Sequence, residues 1–131
     1  MQIKNITKVI EEVFGNELKK MNFKEKKWTI ENGRYTWVFE QENYAICILL
    51  NFGRYLHIKF SLTNISSLEE EELVSFLEES TLEEKIYGFE FSDEEDLRNL
   101  LLRLNPIIME QGIPWMEKQC IERGKINRES E

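Results

Sequence analysis

A chain of 131 residues that is 41% hydrophobic, 11% aromatic and 32% charged can bury a core of its own, and it is too rich in aromatic and branched residues to stay unfolded. Its longest apolar run, Tyr44 to Leu50, is far short of a membrane span, and Met1 to Lys8 alternates charged with apolar residues, unlike a signal peptide. One cytoplasmic domain is the expectation, with Cys47 and Cys120 as reduced packing residues.

The net charge of −8 is unevenly distributed. Residues 69–96 hold thirteen acids against a single base, Lys85, for a local charge of −12, whereas residues 1–65 sum to +3 and residues 97–131 to +1. Negative charge belongs to one region of a near-neutral chain.

Ile6, Val9, Ile10, Val13, Phe14 and Leu18 recur at three-and-four spacing and predict a helix over 5–21, with Asn5 as its cap. Asn32-Gly33 between two strand-like runs has the composition of a type I′ hairpin turn, and that register sets Glu31 against Arg34, Ile30 against Tyr35 and Trp28 against Trp37. Tyr44 to Leu50, apolar throughout, reads as an interior strand; Leu56, Ile58, Phe60 and Leu62 alternate with Tyr55, His57, Lys59 and Ser61 as a strand with one buried face. Four antiparallel strands in meander order are predicted, at about 28–31, 34–40, 44–51 and 55–63. Ser66 and Ser67 before Glu69 and Glu70 predict a helix to about 79, and Ile86 to Phe91 a short fifth strand. Ser92 with Glu95 caps a leucine-rich helix that Pro106 should kink or end and Gly112 stop; Pro114 opens a last helix through about 123. The fold class is α+β: an antiparallel sheet of four to five strands in a meander, with an N-terminal helix and C-terminal helices packed on it.

Catalytic and cofactor signals are sparse. The lone histidine, His57, would have to serve any His-paired nucleophile or zinc site, yet the strand alternation sets Ile48 rather than Cys47 beside Ile58. The six glycines are scattered, so no phosphate-binding loop is present, and Glu69 to Glu72 lacks the spaced ligands of a calcium loop. No catalytic, cofactor or metal residue is assigned. Lysines 19, 20, 24, 26 and 27 near Trp28 and Trp37 could neutralise phosphates and stack bases, but the acidity of the whole chain argues against nucleic acid. The acidic block is either a solvated surface built around helix starts or a face that steers a basic protein partner. On the second reading the contact residues are Glu70, Glu71, Glu78, Glu79, Glu83 and Glu84.

An N-terminal helix, then Leu18-Lys19-Lys20-Met21-Asn22-Phe23-Lys24-Glu25-Lys26-Lys27-Trp28, then a meander ending in helices with Ile113-Pro114-Trp115-Met116, resembles small bacterial proteins in which a Gly-Phe-Lys-Lys segment follows the first helix. Related α+β proteins of this size include immunity proteins encoded beside secreted toxins. Asn22 stands here where that pattern has glycine. The resemblance implies a non-enzymatic module that neutralises a protein partner such as a basic toxin domain, and it carries over no catalytic residues. The second reading is a regulatory or housekeeping module whose aromatic sheet face receives a peptide, nucleic acid or small ligand; an enzyme ranks third.

Overall fold

The computed structural model describes residues 2–62 and 70–129, the stretch 123–129 as backbone only. Helix α1 (Ile3–Ile10) passes through a wide π-helical turn, Glu11–Gly15, into α2 (Asn16–Lys20). The cap is Gln2 rather than Asn5, whose N–H already donates to the Gln2 carbonyl from inside the first turn. All six apolar residues of the predicted helical face are buried. At the other end Asn22 has φ +70°, Phe23 N–H reaches Leu18 O at 2.9 Å and Asn22 N–H reaches Lys19 O at 3.1 Å. This is a Schellman closure, and its left-handed residue must be glycine or the asparagine found here.

Strands β1 (Lys24–Glu31) and β2 (Arg34–Glu40) meet at Asn32-Gly33, whose φ values of 52° and 78° suit a type I′ turn. Glu31 pairs with Arg34 and Ile30 with Tyr35, but the register shifts between Lys26 and Thr29. Lys27 and Trp28 together stand against Trp37 in a β-bulge, and pairing then resumes as far as Lys24, so the strand is longer than expected. With β3 (Tyr44–Asn51), β4 (Tyr55–Leu62) and β5 (Glu70–Glu72), the sheet runs in the order β1-β2-β3-β4-β5, with β6 (Phe89–Glu90) also on β4. Trp37, Phe39, Ile46, Ile48, Leu50, Leu56, Ile58 and Phe60 share one face and are wholly buried with the helices. On the opposite face Ala45 and Leu49 are buried and lie outside that core cluster.

Beyond β4 the sequence expectation needs correction. Residues 70–79 form no α-helix: β5 (Glu70–Glu72) pairs with β4, and a single 3-10 turn, Leu73–Phe76, follows; the Ser66-Ser67 cap lies outside the described residues. The edge of β4 has backbone groups that need partners, and Lys59 opposite Glu72 favours the pairing. The predicted fifth strand, Ile86 to Phe91, is shorter than expected: Ile86 and Tyr87 end helix α3 (Leu82–Tyr87), and the two-residue β6 (Phe89–Glu90) pairs with β4. A capping box nucleates α3: Thr81 Oγ accepts from Glu84 N–H at 3.1 Å, and the Glu84 carboxylate accepts from Thr81 N–H at 3.0 Å.

Helix α4 (Glu94–Ile107) is capped by Asp93, one residue later than expected, with Asp96 accepting from both Ser92 N–H and Ser92 Oγ. Pro106 does not end it. The chain widens into a π-helical turn, Ile108–Gly112, and continues as α5 (Ile113–Glu129). Gly112 does not stop the segment either, because its bare Cα face receives the Phe60 ring.

Glu25, on β1, is tucked against α2 with its side chain 17% exposed, 3.5 Å from Lys19. Burial first, and then the neighbouring Glu11, hold its carboxyl above the ordinary carboxylate range, with Lys19 pulling the other way. The folded protein therefore binds this proton more tightly than the unfolded chain, and stability falls as pH rises from the ordinary carboxylate range through the raised value. Glu25→Gln is expected to stabilise the fold at neutral pH, by under about 1 kcal/mol given partial solvation. Urea unfolding of both proteins should show that gain shrinking as pH falls towards about 4, where the glutamate is protonated in both states.

Candidate protein-interaction surface

Both short strands lie on the same edge of β4. Glu70, Glu71 and Glu72 pair with Ser61, Phe60 and Lys59, whereas Phe89 and Glu90 pair with Leu56 and Tyr55. Two parts of the acid-rich segment, 70–72 and 89–90, thus lie on one sheet edge. At the opposite edge are Lys24, Lys26 and Lys27 of β1, with Lys19 and Lys20 of α2 just before it, all exposed. Three strands lie between the two edges, roughly 19 Å from β1 to β5 at the usual strand spacing. The charge segregation seen along the chain becomes a segregation across the molecule.

The acids do different things along that edge. Strand alternation sends Glu70 and Glu72 to the open face of the sheet and Glu71 to the helix side. Glu72 lies 4.0 Å from both Lys59 Nζ and His57 Nδ1, Glu84 lies 3.8 Å from Arg103, and Glu90 is paired with Arg54, whose Nε donates at 2.7 Å. Asp93 and Asp96 cap α4. Glu70, Glu71, Glu78, Glu79 and Glu83 form no ion pair among the described residues, and Glu70, Glu78, Glu79 and Glu83 are exposed. Of the six predicted contact residues, only Glu84 is engaged within the fold.

The Cys47 and His57 positions share the open face but not a pair: Cys47 faces Lys59 and His57 faces Leu49. Burial, then Glu70, pushes the Cys47 thiol up against the smaller opposing pull of Lys59, which keeps it protonated and a poor nucleophile. The His57 ring packs against Gly88, where a Cβ would lie 2.8 Å from Nε2 and 2.6 Å from the Leu56 carbonyl. No group of three or more His, Cys, Asp or Glu side chains is placed to hold a metal among the described residues. Of the paired aromatics, Trp37 is fully buried, donating from Nε1 to Thr7 Oγ1 at 3.0 Å, so its ring belongs to the core.

From the sequence, Asn51 to Arg54 with Gly53 makes the turn between β3 and β4, but its geometry and the groove beside it were missed. Residues 51–54 close with a bond from Arg54 N–H to Asn51 O at 3.1 Å, and both central residues, Phe52 and Gly53, have positive φ, 57° and 65°. This is a type I′ turn with phenylalanine where asparagine is the favoured residue. A bulky side chain in the left-handed region costs about 1–2 kcal/mol, and the Phe52 ring recovers nothing by burial, being 82% exposed. Its N–H donates to Gly33 O, and Arg34 Nε donates to Asn51 Oδ1 at 2.7 Å, which ties the two turns together. Beside it stands α3, which buries no residue and leaves Leu82, Ile86 and Tyr87 exposed, with the Tyr87 ring 5.9 Å from that of Tyr55. Phe52, Tyr55, His57, Ile86 and Tyr87 line a groove of about 440 Å³, adjoined at Arg34, Asn51 and Phe52 by a second of about 580 Å³ over the open sheet face. The available signals were Phe-Gly at a hairpin turn and Thr81 three residues before Glu84.

The chain matches no protein family, no curated protein and no solved structure. Among the described residues no helix is long and apolar enough to cross a membrane.

Proposed function

We propose that this protein is a non-enzymatic binding module that captures a basic protein partner, in the manner of an immunity protein neutralising a toxin domain, through the acidic edge beside β4. What supports this reading is the set of exposed carboxylates at Glu70, Glu78, Glu79 and Glu83, none in an ion pair among the described residues, in a segment whose two ends pair with the outer edge of β4, while Lys24, Lys26 and Lys27 lie on β1 at the opposite edge. Such a field pulls a basic partner into one orientation and raises its association rate. Bacterial cytoplasm is the compartment in which an immunity protein would act.

The test uses the polypeptide encoded by the reading frame adjacent to this one. Stopped-flow association at low salt should slow by about 10- to 1,000-fold when Glu70, Glu71, Glu78 and Glu79 are all changed to lysine, and the wild-type rate should fall steeply as salt is added. An unchanged rate at low salt removes the acidic edge from the contact.

A further inference from the structure

We infer that this chain assembles head to tail with copies of itself, β5 of one copy continuing the sheet at the β1 edge of the next. The contact stands apart from the proposed partner. β1 and β5 end the strand order, so each has one side with no strand neighbour among the described residues. Such a side offers its backbone N–H and carbonyl groups to a further strand. Every pairing from β1 to β5 is antiparallel, so β1 and β5 run in the same direction. A copy displaced sideways within the sheet plane therefore sets its β5 parallel to β1, with the helices of both copies on one side. Side-chain alternation matches as well. Lys24 and Lys26 stand opposite Glu40 and Val38 on the open face, and Glu70 and Glu72 stand opposite Ser61 and Lys59 on that same face. One register thus brings Glu70 beside Lys24 and Glu72 beside Lys26. The regular stretch of β1 before its bulge, Lys24 to Lys26, is as long as β5.

Charge selects this arrangement over its alternatives. Lys24 and Glu70 are exposed, and neither forms an ion pair among the described residues. Lys26 holds Glu40 at 3.1 Å and Glu72 lies 4.0 Å from Lys59, so the second contact joins two existing pairs into one network of alternating sign. On the helix side Glu71 comes beside Glu25, whose charge Lys19 balances at 3.5 Å. Pairing β1 with β1 about a two-fold axis sets lysines against lysines, and β5 with β5 sets glutamates against glutamates. Lysines on an edge strand repel their own copies while accepting an acidic strand. The contact is heterologous and sheets twist by about 20–25° per strand, so successive copies wind into an open chain instead of closing as a dimer. The net charge of −8 opposes approach, but beyond about 8 Å it is screened at about 0.15 M salt, whereas charges in contact are screened less.

The experiment follows the full chain by sedimentation velocity at about 0.15 M salt, from roughly 0.02 to 1 mM, with nitrogen-15 amide shifts recorded over the same dilution. The expected result is a sedimentation coefficient that climbs past the dimer value, with dilution-dependent shifts at residues 24–26 and 70–72. Lys24→Glu with Lys26→Glu should weaken association by about tenfold or more, and so should Glu70→Lys with Glu72→Lys. All four changes in one chain exchange the charges of the two edges and should restore association, which damage to the fold would not do. Mixed in equal amounts, the two double variants should also associate although neither does so alone, because the acidic edges of one meet the basic edges of the other. A monomer at every concentration, growth that stops at a dimer, shifts confined to other residues, or a mixture that stays monomeric each overturn the inference. No arm uses the proposed partner, so the acidic-edge reading stands or falls separately.

Discussion

Trp37→Ala is expected to cost the fold about 3–5 kcal/mol, a large share of the roughly 5–15 kcal/mol that holds a domain of this size together. The ring is completely buried at the centre of β2, between α1 and the neighbouring strands, and Tyr35 stacks 6.2 Å away on the same face. Truncation leaves a cavity the size of an indole in a wall of backbone that resists collapse, since β3 is paired with β2 along its full register and β1 is paired on both sides of its bulge. The lost bond from Nε1 to Thr7 Oγ1 adds little, because that hydroxyl keeps its own bond to Ile3 O at 2.9 Å. Trp37→Phe, which retains most of the apolar contact, should cost under half as much. Urea unfolding of the three proteins checks both numbers; a Trp37→Ala loss under about 1 kcal/mol would show that the ring is not a core residue.

Gly112→Ala should be nearly as damaging, by about 3 kcal/mol, through overpacking rather than a cavity. An alanine Cβ there would lie 2.2 Å from Phe60 Cζ and 2.4 Å from Cε1. The ring cannot retreat: Phe60 is fully buried in β4, with Phe76 edge-on at 5.8 Å and Trp115 beyond Phe76 at 6.5 Å. The methyl therefore pushes the π-helical turn away from the sheet. Phe60→Leu in the same chain should restore part of the loss, as it vacates the space that the methyl enters, and thermal melting of the single and double variants reads this directly.

The two positions also mark where sequence reasoning succeeds and where it stops. Strands β2 to β4 were legible because their apolar residues alternate and because Asn32-Gly33 allows one turn geometry, so Ile48 against Ile58 and Glu31 against Arg34 follow from spacing alone. The bulge at Lys27 and Trp28 was not legible, since nothing local distinguishes it from regular pairing. Gly112 and Pro106 carry the composition of helix ends, yet the chain stays helical through both. For the glycine the reason is non-local, because its bare Cα face receives a ring from β4. Residues 70–72 failed for a similar reason, because three consecutive glutamates suit a helix start until an open strand edge offers pairing. At the surface, the clustering of charge along the chain was visible but its lie along one edge was not. The Phe52 groove was invisible, because it joins segments that are distant in sequence, His57 and Ile86 being its nearest residues across them.

The proposed partner contact is the edge of the sheet bearing β5 and β6. Hydrogen exchange of the full chain, free and bound to the basic product of the neighbouring reading frame, tests it most directly. Slowed exchange confined to residues 70–90 is the predicted footprint, with the lysine-rich strand β1 exchanging as it does in the free protein. Protection centred on residues 24–31, with 70–90 unaffected, would contradict the account.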